Sequence, residues 1–184
     1  MSLWDVTRSS GTDFENELLD LLKLYTKNIW KNVIIDTYLT AQGSTEVDII
    51  FCINDVVFIV EAKNVSSING NYCDNYWSFV GSKNPTSVMR EYTSLNTITQ
   101  NQIHARSFKD AYYSFFKEWP RVIPLIIVPN DCKLSDDLLD SVFSISDLSK
   151  FCSDIVVQNT SSKLHRRVSS MINSENRIIR PEFN

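Results

Sequence analysis

The sequence predicts a single α/β domain in which a central mixed β-sheet is flanked by helices. Two stretches, 12–30 and 97–117, carry apolar residues at helical spacing. The runs 56–63 and 122–128 are almost wholly apolar and rich in β-branched residues, the pattern of strands covered on both faces. The order helix, strands, helix, strand then places helices on both sides of one sheet.

Taken in order, Phe14, Leu18, Leu21, Leu22 and Tyr25 give the first helix its apolar face, and Thr12 with Glu15 makes a capping-box pattern at its start. Residues 33–39 read as a first strand and 46–53 as a second. Asn54-Asp55 suits a tight turn into a third strand over 56–63. Residues 64–95 hold Gly70, Gly81 and Pro85 among scattered aromatics, and read as loops around a short strand near 76–80. Pro120 and Pro129-Asn130 frame a fourth strand over 122–128, and 142–145 suits a short fifth. Asp147 reads as the N-cap of a helix over 148–153, and 160–173 as a last helix before a fraying end. There is no internal repeat and no domain boundary.

Length and composition narrow the function classes. A chain of 184 residues can bury one substantial core. The net charge of −4 argues against a broad surface that coats nucleic acid, so any phosphate contact has to come from local basic groups. None of the 4 cysteines sits in a CxxC pair and there are only 2 histidines, which speaks against a zinc site. Cys52 lies within an apolar strand, as a buried reduced thiol would, which suggests a reducing compartment. The opening MSLWDVTRSS lacks the form of a signal peptide, and the apolar runs are too short to span a bilayer. A cytoplasmic protein with no membrane contact is expected.

The chemistry concentrates on the hairpin of the second and third strands. Asp48 and Glu61 are acids in otherwise apolar strands, and a buried carboxylate needs a metal, a cation or water as partner. Glu61 and Lys63 are two apart and so share a face. Two carboxylates and an ammonium at a sheet edge suit phosphodiester hydrolysis. A hard cation, Mg²⁺ or Mn²⁺, prefers carboxylate and carbonyl oxygens, polarises the phosphate and acidifies a bound water. Asp48, Glu61 and the Ala62 carbonyl are the expected ligands, with Lys63 orienting the water or offsetting charge on the phosphate. The bland alternative is a surface Asp beside a structural Glu–Lys pair.

Asp48 followed by Glu61-Ala62-Lys63 resembles the D…(D/E)xK core of PD-(D/E)XK nucleases. More narrowly, residues 11–152 resemble the nuclease-related domain, NERD. Gly11 with Glu15, EVDIIFCINDVVFIVEAKNV with Asn64 after the lysine, Trp77, NTITQNQIHARSF, VIPLIIVPND and VFSISDLSKF follow that family's order. Thr97 replaces its usual proline after Asn96, and Phe14 a common second glycine. A genuine Asn84-Pro85 stands twelve residues earlier, with Val88 where glutamine would fall, but the Asn96 alignment brings Gln100, Asn101 and His104 into place together.

The resemblance implies a restriction-endonuclease-like core over 11–152, with 153–184 as a helical extension packed on it. It implies an Mg²⁺- or Mn²⁺-dependent nuclease whose partner is nucleic acid, with DNA as the expected substrate. Glu15 would project from the first helix to the metal; as a capping-box residue it would merely close the helix start, and Glu17 points elsewhere on the helical wheel. Gln100 and His104, four apart, share a helix face that can reach a phosphate or the attacking water. Asn101 is assigned a structural role. Many nucleases of this fold dimerise to cut both strands, so a homodimer is one assembly left open. Lys163, His165, Arg166, Arg167, Arg177 and Arg180 form a basic cluster that either touches phosphates or is a solvated face. Tyr112, Tyr113, Phe115, Phe116 and Trp119 read as packing residues. The competing function is a nuclease-like fold without catalysis, used to bind nucleic acid or protein.

Overall fold

The computed structural model describes residues 3–81, 90–155 and 163–180, with side chains from residue 13 onward. The chain runs α1 (Leu3–Leu22), β1 (Ile29–Asp36), β2 (Ser44–Ile53), β3 (Val56–Ala62), β4 (Val65–Asn69), β5 (Tyr76–Gly81) and β6 (Glu91–Leu95). It continues through α2 (Thr97–Phe116), β7 (Val122–Val128), β8 (Lys133–Leu134), β9 (Val142–Ser144), α3 (Ile145–Ile155), α4 (Lys163–Met171) and β10 (Arg177–Ile178). The main sheet has the order β10-β1-β2-β3-β7-β9. Its β1–β2 and β2–β3 pairings are antiparallel, and those of β10, β7 and β9 are parallel, so the expected mixed sheet is present.

Helices cover both faces of this sheet. Phe108, Ala111 and Tyr112 of α2 and Leu164, Val168 and Met171 of α4 pack on Val33, Ile35, Val47, Ile50, Val57 and Ile59. On the other face, Phe14, Leu18 and Leu22 of α1 and Leu148 and Cys152 of α3 pack on Ile49, Phe51, Phe58 and Val60. Among the described residues, no helix is long and apolar enough to cross a membrane.

One irregularity in these faces positions the site. On β2, Ile50 and Cys52 face α2 while Ile49, Phe51 and Ile53 face α1. Beyond Asp48 the alternation inverts, and Val47 faces α2. On β1, Trp30 packs toward α2 and Ile29 toward α1, yet past Asn32 it is Val33 and Ile35 that face α2. The pairs Lys31↔Ile49 and Val33↔Val47 keep the same register, so both strands invert together. Asn32 has φ 52, the left-handed conformation that asparagine tolerates better than most residues.

Several expectations are corrected. The first helix ends at Leu22, not near residue 30, and Ile29 and Trp30 open β1. Thr26 breaks the helix: its hydroxyl donates to Cys52 O at 2.8 Å and accepts from Asn28 N–H at 3.1 Å. The capping box of Thr12 and Glu15 fails because the helix begins at Leu3 and runs through both. The first strand spans Ile29–Asp36 rather than 33–39.

Residues 64–95, read as loops around a single short strand, supply β4, β5 and β6 of a second sheet ordered β6-β5-β4-β8. Its core is Val65, Ile68, Trp77 and Phe79 packed on Ile126 and Val142. These strands are too short, and too mixed with polar residues, for their alternation to stand out. Asp147 is not an N-cap. Ser144 caps α3, donating its N–H to Asp147 Oδ2 at 3.0 Å and accepting the Asp147 N–H at 3.1 Å. The Asn84-Pro85 pair, Val88, residues 160–162 of the last predicted helix and 181–184 of the fraying end lie outside the described residues, as do the side chains of Gly11 and Thr12.

Candidate active site

The site forms where β2 and β3 part. Their ladder ends at Ile49↔Val60. Lys63 N–H donates to Ile127 O on β7, so the Ala62 N–H, one residue earlier, points toward β2. There it meets a side chain instead of backbone: Asp48 Oδ2 accepts it at 2.7 Å. No described residue donates to Asp48 Oδ1.

Glu61 and Lys63 lie on the α2 face, as their spacing predicts. Lys63 Nζ donates to Glu61 Oε1 at 2.6 Å, and Gln100 Nε2 donates to the same oxygen at 2.9 Å. Lys63 Nζ also reaches Gln100 Oε1 at 3.4 Å. Glu61 Oε2 lies 3.1 Å from His104 Nε2, and both side chains are 4% exposed. Asn96 caps the helix that carries Gln100 and His104, its Oδ1 accepting the N–H groups of Ile98 and Thr99. Asn101 anchors α2 to the sheet by donating to Ile59 O and Leu125 O, the structural role expected of it.

The electrostatics set the acids apart. Burial and the charge of Glu61 push Asp48 up to about 8, against the Ala62 N–H and Lys63. Burial would also raise Glu61, but the His104 hydrogen bond and the Lys63 charge outweigh it and hold this carboxyl below its ordinary value. Burial likewise acts to lower Lys63, and the charge and hydrogen bond of Glu61 raise it instead. The folded chain thus keeps one ionised acid and one acid that readily holds a proton, facing the same ammonium.

Among the described residues, no three His, Cys, Asp or Glu side chains converge as a metal cage. Mg²⁺ does not require one. It commonly takes one or two carboxylates and keeps water or substrate oxygens in its other positions. Asp48 and Glu61 fit that donor set: both are carboxylates, and among the described residues no group donates to Asp48 Oδ1.

Glu15 stands nearer the edge of this group. Its charge acts on Asp48, but its Oε2 is held by Lys31 Nζ at 3.0 Å. Glu17 is exposed. The basic cluster is not one free surface. Lys163 and Arg167 both pair with Glu118, Arg177 pairs with Asp36, and Arg180 lies over the Tyr38 ring. His165 is buried between Asn28 Nδ2 and Asn54 O. Trp77 is a core residue of the second sheet, donating Nε1–H to Asn71 O. Tyr112 is buried, whereas Tyr113, Phe115 and Trp119, expected to pack, stand at the surface with Tyr113 and Trp119 stacked on each other.

Residues absent from the sequence reading also enter. Thr45 Oγ1 lies 2.7 Å from His104 Nδ1. Tyr92 on β6 stacks on Phe79, and its hydroxyl feels the Lys63 charge. Lys31 holds Glu15. No local signal marks them, because each acts across separate strands or helices.

The family model for the nuclease-related domain, NERD, matches residues 10–129, a span that holds Glu15, Asp48, Glu61, Lys63, Gln100 and His104. No curated protein and no solved structure gives a significant match.

Proposed function

The chain belongs to the nuclease-related domain family, and we propose that it is a divalent-metal-dependent nuclease that hydrolyses phosphodiester bonds in DNA. The observation that carries this reading is that Asp48 and Glu61 each stand one residue beyond Ile49↔Val60, the last pair of β2 and β3, with Lys63 Nζ 2.6 Å from Glu61 Oε1.

Asp48, Glu61 and the Ala62 carbonyl would hold Mg²⁺ or Mn²⁺, which supplies a Lewis acid for the phosphate and a more acidic bound water. Lys63 orients the attacking water and offsets the charge that builds on the phosphate. Gln100 keeps Lys63 and Glu61 in register by touching both. Glu15 adds negative charge beside Asp48 and strengthens the pull on a cation once Lys31 releases it.

One observation favours a module without catalysis. Both oxygens of Glu61 already have donors in Lys63, Gln100 and His104, so this acid is satisfied without a metal. Plasmid cleavage with Mg²⁺ or Mn²⁺, run on wild type and Glu61→Ala together, separates the readings. The nuclease reading expects nicked or linear product from wild type alone. Equal cleavage by both proteins, or by neither, overturns it. Single-stranded DNA and RNA in parallel reactions test the choice of DNA.

A further inference from the structure

We propose that Thr45 is a positioning residue for Glu61, acting through His104. Among the described residues, Glu61 Oε1 has two donors and Oε2 has one, His104 Nε2. The Glu61 and His104 side chains are 4% exposed, so water cannot readily replace that donor. An ionised carboxylate only accepts hydrogen bonds, so Nε2 must carry a proton. Nδ1, the other ring nitrogen, lies 2.7 Å from Thr45 Oγ1, a hydroxyl that can donate or accept. The hydroxyl fixes the plane of the ring, and the ring fixes one end of the carboxylate while Lys63 and Gln100 fix the other.

The face inversion brings Thr45 here. By strand alternation Thr45 shares the face of Val47, which packs toward α2. Without the inversion at Asn32 and Asp48, Thr45 would share the face of Ile49 and point toward α1. The same irregularity thus frees Asp48 for the Ala62 amide and sends Thr45 to His104. Outer partners of this kind, behind a carboxylate that binds a cation, typically matter about 10–100-fold for affinity.

The proposal rests on the nuclease reading only where metal affinity is measured. The test uses the full chain, labelled with ¹⁵N-histidine; with 2 histidines the spectrum is simple. Without metal, Nε2 is expected to carry a proton and the Nδ1 signal to report its contact with Thr45. Thr45→Val is expected to move the Nδ1 signal and raise the Mn²⁺ dissociation constant about tenfold, and Thr45→Ser to restore both. A wild-type Nε2 without a proton overturns the proposal, and so does a Thr45→Val protein with wild-type ring signals or wild-type affinity. If Thr45→Val fails to fold, Thr45→Ala is measured in its place. If wild type takes up no Mn²⁺, the nuclease reading falls, and the ring signals of the three proteins still judge Thr45.

Discussion

Asn32 and Asp48 lie between the paired positions Lys31↔Ile49 and Val33↔Val47, where β1 and β2 exchange the faces of their side chains. The left-handed backbone of Asn32 permits the exchange, and Asp48 is thereby turned to the Ala62 amide. Asn32→Gly is expected to keep the fold and the site, because glycine adopts this conformation freely. Asn32→Val is expected to cost about 1–2 kcal/mol in urea unfolding. It should also weaken Mn²⁺ binding. A valine variant as stable as wild type would show that the positive φ is not needed.

The two acids pull stability in opposite directions with pH. Asp48 titrates near 8 when folded, against an ordinary 3.8. Between those values the folded chain holds a proton that the unfolded chain has lost. Its contribution to stability is therefore full below about 3.8 and falls away as pH rises through about 8. Glu61 is held below its ordinary value, so its contribution is present above that value and is lost as pH falls through its folded pKa. Urea melts in EDTA from pH 5 to pH 9 should show declining stability, with a shallower decline in Asp48→Asn. Below pH 8, Mn²⁺ binding should release a proton, read by calorimetry in buffers of different ionisation heat.

Removing Lys63 tests the buried ion pair. Lys63→Met leaves Glu61 with Gln100 and His104 as donors. A loss of about 1–3 kcal/mol is expected at pH 8, the usual cost of an under-satisfied buried group. Cleavage should fall by about 10²-fold or more, as when a donor to developing charge is removed. Denaturant titration and a nicking assay read the two effects separately, and cleavage at the wild-type rate would remove Lys63 from the chemistry.

The second sheet has its own weak point. A Cβ added at Gly70 would lie 2.3 Å from Trp77 Cδ1, and Trp77 is fully buried. Gly70→Ala is expected to destabilise the chain by about 1–3 kcal/mol through overpacking. The change in Trp fluorescence should precede loss of the main sheet, seen by circular dichroism. Coincident transitions at the wild-type midpoint would contradict this.

Local pattern carried much of the reading. The i, i+2 spacing of Glu61 and Lys63 predicts a shared face, and they touch. The i, i+4 spacing of Gln100 and His104 predicts a shared helix face, and both meet Glu61. The hairpin pattern puts Asp48 on the neighbouring strand. The route to its position was not legible, since uniform alternation gives no hint of the inversion at Asn32. For Glu15 the alternative to a metal-facing role, a capping box with Thr12, is removed by the longer helix, whose start lies nine residues upstream of Thr12.

By itself the sequence determined the α/β class, the strands that carry the acids and the helix that faces them. Those features follow from side-chain periodicity over a few residues, which the backbone geometry of strand and helix imposes directly. Tertiary structure alone decided that β1 and β2 invert together, that β4, β5 and β6 join β8 in a second sheet, and that Thr45 meets His104. Thr45 and His104 are 59 residues apart. A contact at that distance along the chain has no local pattern to announce it, and exists only once α2 has packed on the sheet.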